Sequence, residues 1–227
     1  MIKFLNVLKI QKLDFLISFY IACIMISELL GGKTFPLLTI GTFNLSASVA
    51  IFVIPLVYGI NDIITEVYGK PRAQSVVRSG LFMVLFLLLF AVLATALPAT
   101  RMFMSSEKAY EQIFGVSIRI ATASLIAFAI GEFSDVLIFF RLRQKLGKSK
   151  LWLRTNASNF LSQFLDTAIF ITLAFYALDK PLGSNLPFLI GIILPYWLLK
   201  CFMSIIETPL VYIGVKWLNR GAKEKAQ

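Results

Sequence analysis

Histidine is absent from this 227-residue chain, and cysteine occurs only twice. The first absence removes the commonest metal ligand and the commonest general base, so neither a Ser–His dyad nor a His-containing zinc site can be built. Cys23 and Cys201 lie far apart in apolar segments, which supports no disulfide framework. Charged residues make up only 15% of the chain, against about a quarter in a soluble domain. Gly/Ser-rich linkers, low-complexity tracts and a GxxxxGK(S/T) phosphate loop are also missing. The chain therefore reads as one transmembrane domain over 1–227 with no ATP site of its own. No cofactor, no metal and no enzymatic activity is expected.

What is present is apolar. Hydrophobic residues account for 58% of the chain and 21 residues are Phe, with a mean hydropathy of +0.82. A transmembrane helix needs roughly 20 mostly apolar residues, since each rises about 1.5 Å through a core about 30 Å thick. Such runs occur near 15–32, 45–68, 79–97, 120–140, 157–178 and 187–214. The first has no small-residue cleavage site after it and is read as a retained helix. The last contains Pro187, Pro195 and Pro209, which predicts a kink or a re-entrant start before Pro195. The predicted fold is an all-α integral membrane protein, a bundle of six transmembrane helices.

The net charge of +10 follows topology. Sixteen Lys and Arg fall in the two tails (1–12 and 216–227) and in the connections after spans two and four. Five fall in the alternate connections, and Lys200 alone lies inside a span. Positive loops stay in the cytoplasm, so both termini are expected there. Basic clusters placed this way meet anionic lipid and are not expected to bind nucleic acid directly.

Seven of the 12 acidic residues lie within the proposed spans: Glu28, Asp62, Glu66, Glu132, Asp135, Asp166 and Glu207. A charge at a helix centre costs roughly 2.5–3.5 kcal/mol on insertion scales. Such groups must face an interior cavity, pair, or carry protons. Glu28 and Glu66 sit nearest the span ends. Helical spacing groups the rest: Tyr58, Asp62 and Glu66 share a face of span two, and Glu132 and Asp135 share one of span four. Ser162, Gln163 and Asp166 do so in span five, and Lys200, Ser204 and Glu207 in span six. Four polar stripes pointing at one central site is the simplest arrangement. The plainer alternative is helix–helix adhesion, although Ser, Thr and Gly supply that more cheaply. Lys200 is the natural partner of one carboxylate, Asp166 or Asp135, and the spacing leaves that choice open.

A cluster of carboxylates repels inorganic anions and suits cations or neutral molecules rich in N–H donors. A carboxylate accepts two parallel hydrogen bonds, matching the N1–H and amine edge of a guanine-like base. Tyr58, Phe128, Phe133, Phe164, Tyr196 and Trp197 could stack on such a ring, although ordinary packing explains each alone. Adjacent buried carboxylates disfavour double ionisation, which leaves proton coupling open. An intramembrane aspartyl enzyme built on Asp135 and Asp166 is the rival from another class. The NDIITE and FLDTAIF segments of spans two and five are compatible with a three-plus-three repeat.

The run Asn61-Asp62-Ile63-Ile64-Thr65-Glu66-Val67-Tyr68-Gly69-Lys70, followed by Arg72-Ala73, resembles the signature of the queuosine precursor transporter family, also called the vitamin uptake transporters. Asp135-Val136 with Ile138-Phe139, the stretch from Trp152 to Phe170, and Lys200 with Thr208-Pro209 and Tyr212 agree in order and spacing. Thr155, Asn159 and Glu132 depart from the pattern, and Glu132 bears on which ring substituent is preferred. The resemblance implies import of a 7-deazaguanine precursor (queuine, preQ1 or preQ0) across the bacterial inner membrane, by a secondary carrier or facilitator. A substrate-capture subunit of an energised vitamin-type transporter, or a carrier of another N–H-rich heterocycle, is the alternative. The implied substrate residues are Asp62, Glu66, Glu132, Asp135, Gln163, Asp166 and Lys200, with Asn61 and Tyr58 beside them. The implied partners are a purine-like small molecule and the lipid bilayer, and homodimerisation is left open.

Overall fold

The computed structural model describes residues 11–40, 43–115, 118–147, 150–177 and 181–224. Most of the basic N-terminal tail, the end of the C-terminal one, Lys148 and Lys180 lie outside the described residues. The elements are α1 (Lys12–Leu30), β1 (Thr34–Ile40), β2 (Phe43–Ser48), a 3-10 turn (Val49–Phe52), α2 (Ile54–Tyr68), α3 (Lys70–Ala96), α4 (Met104–Phe114), α5 (Ile118–Leu146), α6 (Leu151–Phe175) and α7 (Leu182–Glu224).

Six segments are long and apolar enough to cross a membrane: α1, α2 with its preceding turn, α3, α5, α6 and α7. They correspond one for one to the expected spans. Their lipid-facing sides are apolar, with Phe82, Phe86, Leu89 and Phe90 of α3 all exposed. In a bilayer such a surface is matched to its solvent, and helices leave no backbone group unpaired there.

Four features depart from the sequence reading. Residues 45–48, read as the start of span two, belong to an antiparallel hairpin in which Thr34 pairs with Ser48 and Ile40 with Phe43. Ser48 joins this hairpin to the bundle: its hydroxyl donates to the Gly31 carbonyl (2.6 Å) and its N–H to the Tyr196 hydroxyl (3.0 Å). The short helix α4 fills the connection between α3 and α5, with no buried residue. Third, α7 runs unbroken through all three prolines, so there is no re-entrant start. Neighbouring helices and local adjustment let a membrane helix tolerate the carbonyl groups that proline frees. Fourth, α6 begins at Leu151 rather than 157, which carries Arg154 from the supposed loop into the protein interior.

Two sets of contacts bring span ends together. Lys12 at the start of α1 donates to the Trp217 carbonyl near the end of α7 (2.9 Å). Arg143 near the end of α5 and Arg154 near the start of α6 both reach Glu66 at the end of α2. Those ends therefore share one side of the bundle.

The central element is α2, in which Pro55 and the nine successive residues from Val57 to Thr65 are buried. It touches α1, α3, α5, α6 and α7. Its apolar side packs into a cluster with Tyr20 and Ile24 of α1, Val76, Val77 and Val84 of α3, Val136 and Phe139 of α5, and Val211 of α7. Close approach depends on glycine: a Cβ at Gly214 of α7 would stand 2.4 Å from Ile63 Cδ1. Between α2 and α3 the chain turns on Gly69 alone, at φ +81°, ψ 170°. Only glycine adopts that geometry readily, and Pro71 suits the first turn of the helix that follows.

Candidate functional site

The polar faces of α2, α5, α6 and α7 meet inside the bundle. The site is built from their stripes, and α1 adds one hydroxyl. Asn61, Asp62, Glu132, Asp135 and Gln163 are fully buried. Asp166 is the most open carboxylate among them, its side chain 19% exposed.

Lys200 pairs with Asp166, its Nζ 2.7 Å from Oδ2, and also donates to Thr167 Oγ1 at 2.9 Å. The sequence left Asp166 and Asp135 as candidates; geometry selects Asp166. The ammonium lies 5.8 Å from the Tyr196 ring centroid, in cation–π range. Gly131 of α5 lets this group close up. A Cβ there would meet Asp166 Cβ at 2.9 Å and the Tyr58 hydroxyl at 3.0 Å. Tyr58 thus stands beside Asp166.

Glu132 is held from two sides. Oε2 accepts from the Tyr20 hydroxyl at 2.8 Å and from Asn61 Nδ2. Oε1 has no hydrogen-bond partner, nor does Asn61 Oδ1. Asp135 accepts from the Ser162 hydroxyl at 3.1 Å through Oδ1 and has Ser158 beside it, while Oδ2 has no hydrogen bond of normal geometry among the described residues. Both carboxylate oxygens of Asp62 and both amide atoms of Gln163 also lack hydrogen-bond partners within the described residues. Buried polar groups are nearly always satisfied in proteins. Polar atoms left unpartnered by the protein in one interior are those available to water or a ligand.

Glu66 stands apart. Its Oε2 lies 3.3 Å from Arg143 Nε and 3.1 Å from Arg154 Nη1. The Arg154 guanidinium is fully buried and stacks over the Phe139 ring at 5.3 Å. This knot closes one end of the polar column, so Glu66 is engaged by protein cations rather than facing the centre.

The adhesion reading holds for part of the bundle. Asn156 donates to Thr208 Oγ1 (2.8 Å) and Asn159 to Ser204 Oγ (2.7 Å), stitching α6 to α7. Phe164 and Trp197 pack edge to face at 5.2 Å, and Phe128 and Phe133 pack against the apolar core. Of the six aromatics considered for stacking, Tyr58 and Tyr196 border the charged groups.

Sequence reasoning missed Tyr20, Arg154 and the role of Glu28. A tyrosine in the apolar run LISFYIACI was a usable signal, since a buried phenol seeks a partner. Glu28 accepts from Ser124 Oγ at 2.8 Å and lies within the field of Asp166. Glu207 is buried with both oxygens unpartnered. It is among the residues lining an otherwise apolar cavity of about 280 Å³ between α1, α2 and α7, with Phe19, Ile60, Val211 and Trp217.

Six spans wrapped around a buried, charged and under-satisfied interior define a multi-pass membrane transporter. The chain belongs to the family described as "Putative vitamin uptake transporter", which it matches over residues 48–214. It is 30% identical over 184 residues to the "Probable queuosine precursor transporter" of Bacillus subtilis, covering 79% of this chain and 76% of that one. It is 27% identical over 128 residues to the "Queuosine precursor transporter" of Escherichia coli (55% and 53%) and 25% over 156 residues to a Haemophilus influenzae relative named as in Bacillus (67% and 61%). No solved structure matches the chain.

Proposed function

We propose that this protein imports a 7-deazaguanine precursor of queuosine across the bacterial cytoplasmic membrane, as a secondary carrier or facilitator. The observation that carries this reading is the unpartnered acceptor Glu132 Oε1 with the unpartnered amide of Gln163, close to the Lys200–Asp166 pair. A guanine-like edge offers two parallel N–H donors to one carboxylate, and its ring carbonyl accepts from an amide or ammonium. In this reading Glu132, held through Oε2 by Tyr20 and Asn61, accepts from the donor edge through its free Oε1. Gln163 and Lys200 serve the carbonyl side, Tyr58 lies against the ring, and Asp62 and Asp135 form the floor. Glu66 is assigned to the closure knot with Arg143 and Arg154, not to the substrate.

Purified protein in nanodiscs, titrated with queuine, preQ1 and preQ0, is expected to bind at least one saturably. Lack of saturable binding for all three would sink the reading. Both termini are assigned to the cytoplasm on the distribution of Lys and Arg. A C-terminal alkaline phosphatase fusion is therefore expected to be inactive, and an active one would reverse the orientation.

A further inference from the structure

Glu207 takes no part in the site just described, yet it is buried to 4% exposure with both oxygens unpartnered. It is pressed against α2 at Gly59, where a Cβ would stand 2.9 Å from Oε1. Three residues further along the same helix is Asp62, with 0% exposure and both oxygens also unpartnered. Asp62 has Asp135 and Glu207 as like-charged neighbours. The Thr155 hydroxyl of α6, 0% exposed and with no hydrogen-bond partner of normal geometry, is turned toward Asp62. The other titratable groups facing these carboxyls are Tyr20 of α1, Tyr58 of α2, Glu132 of α5 and Arg154 of α6.

The charges do not balance. Arg154 is the cation that Asp62 feels; it shares Glu66 with Arg143, and its Nε and Nη2 have no hydrogen-bond partner among the described residues. Lys200 is committed to Asp166. Asp62, Asp135 and Glu207, with Glu132 beside them, thus share one interior in which Arg154 is the one cation not matched by a carboxylate of its own among the described residues. Each ionised carboxyl in such surroundings carries a desolvation penalty of several kcal/mol, and like charges nearby add to it. A proton bound by one of them lowers both costs at once. Among the described residues no group of three acidic or cysteine side chains is arranged to hold a metal ion, so a proton suits the cluster better than a metal.

We infer that Asp62, Asp135 and Glu207 form a proton-binding site that couples transport to the proton gradient, with Glu207 as its dedicated member. A proton taken from the outer aqueous side forms an O–H bond with one carboxylate oxygen. The cluster loses one negative charge. When the site opens inward that bond breaks and the proton passes to cytoplasmic water. The substrate is chemically unchanged.

The inference has two arms, and only the transport arm rests on the proposed nucleobase reading. In the first, pH-difference infrared spectra of the purified wild type are compared with Glu207→Gln and Asp62→Asn. The wild type is expected to show a titrating protonated-carboxyl stretch that weakens in both variants. Its absence, or its persistence unchanged in both, overturns the proton site. In the second, proteoliposomes carrying a one-unit pH gradient, alkaline inside, are given tritiated preQ0. The wild type is expected to accumulate it about tenfold, the equivalent of one proton per substrate. Glu207→Gln is expected to bind preQ0 within about twofold of wild type and to exchange it across the membrane, but to accumulate none. Accumulation driven by a sodium gradient and indifferent to pH, or gradient-driven accumulation intact in Glu207→Gln, overturns the coupling. A wild type that takes up no preQ0 counts against the nucleobase reading, and the infrared arm then decides the proton site by itself.

Discussion

Replacing Lys200 by Met, or Asp166 by Asn, is expected to destabilise the purified protein by about 3–5 kcal/mol, because each leaves one charge of a buried pair without its partner. The side chains are only 5% and 19% exposed, so water cannot make good the loss. The double variant, Lys200→Met with Asp166→Asn, removes both charges and is expected to melt close to wild type, since a buried ion pair is often neutral against uncharged replacements. Transport behaves differently: uptake is expected to be lost in all three proteins. Thermal melting in detergent and uptake into vesicles together separate the two roles. If the double variant recovers uptake along with its stability, the pair is structural and the substrate site lies elsewhere.

Glu132→Gln has a second large expected effect, and it falls on binding alone. The retained oxygen of glutamine can still accept from the Tyr20 hydroxyl and Asn61 Nδ2, so the fold has no reason to fail. The other terminal atom changes from acceptor to donor at the place where Oε1 has no protein partner. A ligand N–H then meets an N–H. Leaving a buried donor facing another donor costs about 1–3 kcal/mol, or roughly five- to hundredfold in Kd. Calorimetry with whichever of queuine, preQ1 and preQ0 binds most tightly to wild type checks this. Unaltered affinity with normal melting would remove Glu132 from the base-binding edge.

The spans were legible because hydrocarbon imposes the same demand on every residue of a crossing helix, and apolar runs record it directly. The polar stripes were legible for the same reason in reverse: Asp62, Glu132, Asp135 and Asp166 are too costly to be incidental. Partner choice was not legible. Spacing along α7 places Lys200 on a polar face but carries nothing about which of two carboxylates lies across from it, which depends on how closely α5 and α6 approach at Gly131. Arg154 was misread because a positive charge beside a basic loop looks like topology. Its burial depends on Glu66 and Phe139, residues distant in sequence that supply an anion and a ring. The hairpin was obscured because its apolar residues extend the hydropathy of the span that follows.

The single-residue turn at Gly69 has a mechanical consequence. With α2 ending at Tyr68 and α3 starting at Lys70, there is no slack between the central helix and its lipid-facing neighbour. Any rearrangement that exposes the interior alternately to the two sides must carry these two helices as one lever pivoting at the membrane edge. The longer connections run from α1 to α2, from α3 to α4 and from α6 to α7.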